Sequence, residues 1–204
     1  MKSKSQEHWQ QVYSSKAADE VSWYQRDPEV SIRLIEKHSS PSSHVIDVGA
    51  GESLLVDQLL SRGYGELTVM DISSSALEDV KYRLGANADV VQFEVADVRQ
   101  WQSSHTFDVW HDRAAFHFMN SDMDIASYVQ TMQKSIVSGG IAVIGTFAED
   151  GPTQCSGLEV RRYSSDQLAT VFSEEFSLIE TESEEHVTPW GSIQHFTWVV
   201  LRRK

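Results

Sequence analysis

The chain has 204 residues, 40% hydrophobic and 23% charged, with 17 basic against 30 acidic side chains and a formal charge of −13. That length and balance fit one domain with a sizeable core, and they exclude collagen-like, low-complexity and disulfide-built scaffolds. The charge repels phosphate backbones and anionic lipid, so neither nucleic acid nor a membrane is expected as a partner. A single cysteine, Cys155, excludes an intramolecular disulfide and suits a reducing cytoplasm. Met1 to Gln11 is polar, unlike a secretory signal, and apolar runs such as Trp198 to Leu201 are far below the roughly 18 residues of a membrane span. A soluble cytoplasmic protein is expected.

Trp9, Val12 and Tyr13 fall at i, i+3 and i+4 and predict a short helix. Asp27-Pro28-Glu29 reads as the next helix start, with Asp27 capping and Pro28 at the first helical position; Val30, Ile32, Leu34 and Ile35 follow until Ser39-Ser40-Pro41 breaks it. Val45-Ile46-Asp47-Val48-Gly49 is a short apolar run typical of a buried parallel strand. A helix is expected from Ser53 to Arg62, stopped by Gly63, then a strand over Leu67 to Asp71 and a helix over Ser75 to Leu84. Strands over Val90 to Val95 and Phe107 to Trp110 come next. Ile125, Tyr128, Val129, Met132 and Ile136 share one face of a helix expected over Asp122 to Val137, ending at Gly139-Gly140. A strand over Ile141 to Phe147, a helix over Ser165 to Phe172, and strands over Phe176 to Glu182 and Gln194 to Arg202 complete the chain.

The last two strands have no helix between them, so at least one runs antiparallel to the rest. Strands alternating with helices predict an α/β doubly wound sheet, mostly parallel, with helices on both faces. Chemistry in such sheets lies beyond the carboxyl ends of the strands, where the strand order reverses. One structural domain is expected, with a helical cover over residues 1–40 and the sheet over 41–204.

The densest signal is Asp47-Val48-Gly49-Ala50-Gly51-Glu52-Ser53, directly after a strand and before a helix. Two glycines allow a tight turn and close approach of a ligand to the backbone. Asp71, 20 residues beyond Gly51, ends the next strand, where a carboxylate can accept from both hydroxyls of an adenosine ribose. A dinucleotide fingerprint wants a third glycine where Leu54 stands. Asp47 suits a ligand that presents a cation, such as a methionine ammonium, better than a pyrophosphate.

These residues, with the later Asp97, resemble the class I S-adenosylmethionine-dependent methyltransferase family over about residues 40 to 202. The likeness implies a Rossmann-like seven-stranded sheet whose last strand is a reversed insertion. It implies a donor site drawing on Asp47, Gly49, Ala50, Gly51 and Ser53, on Asp71 and Ile72, and on Asp97 and Val98 against adenine. His111 and, from a cover segment typical of small bacterial members, Trp23 and Tyr24 would complete it. S-adenosylmethionine is the implied cofactor and S-adenosylhomocysteine its product.

In the same layout the turn after Phe107-Asp108-Val109-Trp110 faces the transferable methyl. It carries His111, Asp112, Arg113 and His117 beside Phe116 and Phe118. His111 or His117 is a candidate base, and Asp112 and Arg113 candidate orienters of a polar acceptor. The family's Asn-Pro-Pro-Tyr-type segment for nucleic-acid or amide nitrogens is absent here. Trp23, Tyr24, Trp110, Phe116, Phe118 and Phe147 are candidate pocket liners. Gly145 to Leu158 is too long for a minimal connection and is expected to cross the site as a lid. Cys155 lies within it and is read as a packing residue rather than a reactive thiol. The 8 histidines show no metal-ligand spacing, so no metal is expected. A small-molecule acceptor, such as a thiol, is the leading expectation. The rivals are a protein-lysine methyltransferase, a non-catalytic cofactor-binding partner and a nicotinamide-dependent oxidoreductase.

Overall fold

The sheet forms where the apolar runs fall. The computed structural model describes residues 3–204. Its strands are β1 (Val45–Val48), β2 (Leu67–Asp71), β3 (Val91–Val95), β4 (Phe107–Arg113), β5 (Ile136–Phe147), β6 (Gln154–Cys155), β7 (Leu158–Glu159), β8 (Phe176–Val187) and β9 (Ile193–Arg203). Its α-helices are α1 (Lys4–Ser15), α2 (Glu29–His38), α3 (Leu55–Ser61), α4 (Ser74–Leu84), α5 (Asp122–Ser135) and α6 (Ser165–Phe172). Seven strands make one sheet in the order β3-β2-β1-β4-β5-β9-β8, and β6 pairs with β7 as a separate hairpin.

From β3 across to β5 every pairing is parallel, whereas β9 runs antiparallel between β5 and β8. The fold is therefore the expected seven-stranded α/β sheet with a reversed last strand. The chain moves outward from β1 to β3 and then returns to place β4 on the other side of β1. That reversal opens a crevice at the carboxyl ends of β1 and β4.

Helices cover both faces because the central strands bury side chains on both. Leu34 and Ile35 of α2, Leu55 and Leu59 of α3, and Leu77 and Val80 of α4 pack with Val143 and Trp198. On the opposite face Tyr128 and Met132 of α5 and Leu168 and Phe172 of α6 pack with Ile46, Trp110 and Val199. Each such fully buried large side chain contributes roughly 1.5 to 3 kcal/mol of transfer free energy.

Several boundaries differ from expectation, each for a local reason. Helix α2 begins at Glu29: Pro28 precedes it with ψ 65°, outside the helical range, and no Asp27 side-chain cap forms. The Asp27 carbonyl instead accepts from the Glu29 N–H at 2.9 Å. Helix α3 begins at Leu55 because Ser53 is held in the preceding turn, its N–H donating to the Ala50 carbonyl (3.0 Å) and its Oγ accepting from Leu55 N–H (3.1 Å). Helix α5 stops at Ser135, since fully buried Ile136 pairs with Phe107 and starts β5. Strand pairing there overrides the helical spacing of Ile136. The last two strands are longer than expected because each completes the other's backbone hydrogen bonds from Phe176↔Arg203 to Val187↔Ile193.

The difference that matters for function is β4. It continues through His111, Asp112 and Arg113, which pair with Val143, Ile144 and Gly145 of β5. These three residues therefore obey strand alternation: Trp110 and Asp112 face α5, while His111 and Arg113 face the other side.

Candidate active site

Construction of the site starts at the turn after β1. Gly49 (φ +66°) and Gly51 (φ +52°) hold left-handed backbone that a side chain disfavours. A Cβ on Gly49 would stand 2.4 Å from the Ala115 Cβ, so the turn after β4 crosses here only because Gly49 has none. Gly51 directs its N–H to Asp71 Oδ2 at 2.8 Å, and Ser73 N–H donates to Oδ1 at 2.8 Å. Two backbone donors thus aim the Asp71 carboxylate. Burial pushes its carboxyl up to about 6, helped by the negative charge of Asp47 and opposed by those donors.

Above these strand ends lies a cavity of about 300 Å³. Gly49, Asp71, Ile72, Asp97 and Val98 border one half of it. The other half is bordered by Arg113 and Phe118 from the β4 side and by Cys155 and Glu159 of the β6–β7 hairpin. Trp9, Tyr13 and Trp23 from the amino-terminal segment also line it. These aromatics hold one another edge to face: the Trp9 ring lies 5.8 Å from Trp23 and 5.1 Å from Phe118. The Tyr13 hydroxyl rests against Gly51, 2.2 Å from where a Cβ would be.

Asp97 Oδ1 accepts from Arg99 Nε (2.9 Å) and from the Arg99 backbone N–H (3.1 Å), and Oδ2 accepts from Arg99 Nη2 (2.5 Å). Burial works against its charge, but the Arg99 hydrogen bonds and guanidinium outweigh it and hold Asp97 below the usual carboxylate range. One acceptor position on Oδ2 is left.

A side pocket of about 50 Å³ adjoins the cavity. Tyr24, Asp47, Ala50, Ser53 and His111 line it, and Arg113 and Trp23 border both spaces. Asp47 Oδ1 lies 2.7 Å from His111 Nδ1, and His111 Nε2 lies 2.9 Å from Ser31 Oγ. Both nitrogens of His111 are engaged.

Two expected catalytic residues sit elsewhere. Asp112 is fully buried on the α5 side of β4, where Oδ1 accepts from the N–H groups of Ala115 (2.9 Å) and Phe116 (3.1 Å) and Oδ2 from the Tyr128 hydroxyl (2.6 Å). It staples the turn after β4 to α5 rather than orienting an acceptor. His117 is also fully buried, its ring 4.8 Å from that of Phe147, and neither nitrogen has a partner. Burial, helped by the Arg113 charge, pushes its imidazole down to about 3, too weak a base near neutrality. His117→Leu should therefore raise the urea unfolding free energy by about 1 kcal/mol and leave any turnover within about twofold. A tenfold loss of turnover with unchanged cofactor affinity would return His117 to the chemistry.

Of the expected liners, Trp23 and Phe118 face the cavity and Tyr24 the side pocket, whereas Trp110, Phe116 and Phe147 are core. The expected lid is shorter than 145–158, because residues through Phe147 belong to β5 and the remainder folds into the β6–β7 hairpin. Burial pushes the Cys155 thiol up to about 12, so it is protonated at neutral pH. Sequence reasoning missed Ser31, Arg99 and Tyr128. Ser31 and Tyr128 occupy apolar-stripe positions on their helices, and Arg99 lies in a loop without a motif. Among the described residues no group of three or more His, Cys, Asp and Glu side chains is placed to hold a metal ion, and no helix is long and apolar enough to cross a membrane.

Residues 45–140 match a family model described as a methyltransferase domain. The eEF1A lysine and N-terminal methyltransferase of Danio rerio is 26% identical over 150 residues, covering 72% of this chain and 22% of that protein. Its Mus musculus counterpart is 23% identical over 142 residues, covering 69% and 20%. The chain spans about a fifth of the length of these curated relatives. A structure described by the conversion of a disulfide bond into a thioacetal group during echinomycin biosynthesis superposes with a TM-score of 0.79 at 21% identity, over 98% of this chain and 93% of that one. The N-methyltransferase NodS of Bradyrhizobium japonicum, solved with S-adenosyl-L-homocysteine, gives 0.75 at 14% identity over 96% and 98%. These structures share the fold. The matched segment runs from β1 into the start of β5 and takes in the glycine turn and the strand ends around the crevice. Over residues 45–140 the chain is thus similar to methyltransferase domains, and its fold is shared with the S-adenosyl-L-homocysteine-bound N-methyltransferase.

Proposed function

We propose that this chain transfers a methyl group from S-adenosylmethionine to a small-molecule acceptor, and that the acceptor is a soft nucleophile such as a thiol. One observation carries the choice of nucleophile: none of the candidate bases on β4 and the turn after it is free to take a proton in the cavity. His111 has both nitrogens engaged, Asp112 is stapled below β4, and His117 is buried away from the cavity. An alcohol would need such a base, whereas a thiol with an ordinary pKa of about 8.5 is already a few per cent thiolate at pH 7.

The residues present fit the cofactor. Asp71, aimed by Gly51 and Ser73, would accept from the ribose hydroxyls. Ile72 and Val98 would flank adenine, with the last acceptor position of Asp97 toward its amine. Asp47, with Oδ1 on His111, would keep Oδ2 for the ammonium, and Gly49, Ala50 and Ser53 would shape the turn around it. When bound, the cofactor supplies an electrophilic methyl on a sulfonium sulfur. The chain's part is then to hold donor and acceptor in line and to exclude water. Residues 1–40 serve as the cover through Trp9, Tyr13 and Trp23, with 41–204 as the catalytic sheet domain. Enclosure by these aromatics and the hairpin favours a small molecule over a lysine presented on a protein. The net charge argues against nucleic acid and membranes as partners, and the lone cysteine is consistent with a cytoplasmic setting.

The curated relatives are named for lysine and N-terminal methylation, and that supports a protein acceptor as the second reading. Incubation with methyl-labelled donor separates the two. Label in thioethers from a panel of small thiols, amines and alcohols is the expected result. Label confined to protein bands of a lysate would overturn it in favour of the second reading.

A further inference from the structure

Arg113 ends β4 with its side chain only 9% exposed. Its Nη1 donates to the Trp23 carbonyl at 3.1 Å, and the guanidinium carbon lies 4.3 Å from the centre of the Phe196 ring. Nε and Nη2 are buried without a hydrogen-bond partner. The nearest carboxylate, Glu184, stands 3.9 Å from Nε. Its two oxygens already accept from Gln25 Nε2 (2.6 Å) and Trp198 Nε1 (2.8 Å). The other groups that feel the Arg113 charge are His117, His186 and Cys155; burial keeps both imidazoles and the thiol neutral at pH 7. A buried guanidinium edge without acceptors is destabilising, and the spacing of its N–H groups matches the two oxygens of a carboxylate.

Position argues for the acceptor as the source of that carboxylate. The guanidinium lies over Phe196 of β9, and Arg113 stands on β4, on the opposite side of β1 from β2 and β3. It shares the cavity wall with Trp23 and Cys155, whereas Asp71 and Asp97 stand at the ends of β2 and β3, beyond β1. Arg113 also borders the side pocket of Asp47, so the methionine carboxylate of the cofactor is the competing source.

We propose that Arg113 anchors a carboxylate carried by the methyl acceptor, which makes the acceptor a small anionic molecule. The proposal rests on the reading of the cavity as a methyl-transfer site. The test is calorimetric titration of S-adenosylhomocysteine-saturated protein with phenylacetate and with the isosteric phenylacetamide. Wild type should bind the acid at least about tenfold more tightly than the amide. Arg113→Gln should abolish that preference while S-adenosylhomocysteine affinity stays within about twofold, and Arg113→Lys, which keeps the charge without the fork, should retain part of it.

Equal or undetectable binding of acid and amide by wild type overturns the proposal, and this comparison stands even if the glutamine variant fails to fold. So does an acid preference that survives in Arg113→Gln. A variant that loses about tenfold in S-adenosylhomocysteine affinity but keeps its acid preference assigns Arg113 to the cofactor's own carboxylate. Failure of wild type to bind S-adenosylhomocysteine at all would instead remove the methyl-transfer reading, and this proposal with it.

Discussion

Asp112→Ala is expected to lower the unfolding free energy by roughly 3 to 5 kcal/mol. The carboxylate is fully buried and accepts from the Ala115 and Phe116 N–H groups and from the Tyr128 hydroxyl. Truncation leaves three donors without acceptors, the two buried ones (Phe116 N–H and Tyr128 hydroxyl) costing about 1 to 3 kcal/mol each, and opens a void between β4 and α5. Against a typical domain stability of about 5 to 15 kcal/mol, that is a large fraction of the whole. Asp112→Asn keeps an acceptor for the turn and space for Tyr128, so it should cost roughly 1 kcal/mol. Urea unfolding of the two variants checks both values. The discriminating result is the alanine variant's stability: near-wild-type unfolding with turnover abolished would show that Asp112 acts in catalysis after all.

The second large effect is at Asp71. Asp71→Asn should weaken S-adenosylhomocysteine binding by roughly tenfold to a hundredfold, because one amide oxygen cannot accept from Gly51, Ser73 and a ribose together. The wild-type pH dependence follows from burial, which raises this carboxyl from 3.8 to about 6 in the folded chain. Binding that needs the carboxylate should then weaken below pH 6, approaching tenfold per pH unit. Stability should move the other way. An acid whose folded pKa is raised binds its proton more tightly in the native state, so its contribution is fully present below the unfolded value and is lost as pH rises through about 6. Asp112, likewise raised to about 6 by burial, and Glu52, raised to about 7 by burial and by Asp79, act in the same direction. Lowering the pH from 7 to 5 should therefore increase the stability that these three carboxyls contribute to the cofactor-free protein, offset in part by His44, His117 and His186, which burial keeps from protonating in the folded chain, while weakening its affinity for S-adenosylhomocysteine. Affinity that stays flat over that range would show that the Asp71 charge does not carry binding.

How much of this was legible in the sequence follows the range of the interaction involved. The glycine turn, Asp71 and the alternation of strands and helices rest on contacts within one strand–turn–helix unit, so residue order alone exposes them. For Asp112 and His117 the order of residues is a poor guide, because a residue's type names its chemistry but not its direction. Had β4 been extended through Arg113, strand parity alone would have sent Asp112 away from His111 and Arg113. The apolar pattern ends the strand at Trp110, because three polar residues in a row do not resemble a buried strand. They are tolerated there because partners arrive from elsewhere: Ser31 and Asp47 to His111, and Tyr128 to Asp112.

By itself, then, the sequence determined the class of fold, and it placed the glycine turn and a strand-end acid at one end of the crevice. Periodicity, glycine spacing and net charge are properties of the chain read in order. Only the tertiary structure decided which of four neighbouring polar residues line the crevice, where the amino-terminal aromatics lie, and that Arg113 keeps an unpartnered edge beside it. Those outcomes depend on which strand lies next to which and on which face each side chain points to. Both are set by pairings across many tens of residues, and a linear pattern carries no record of them.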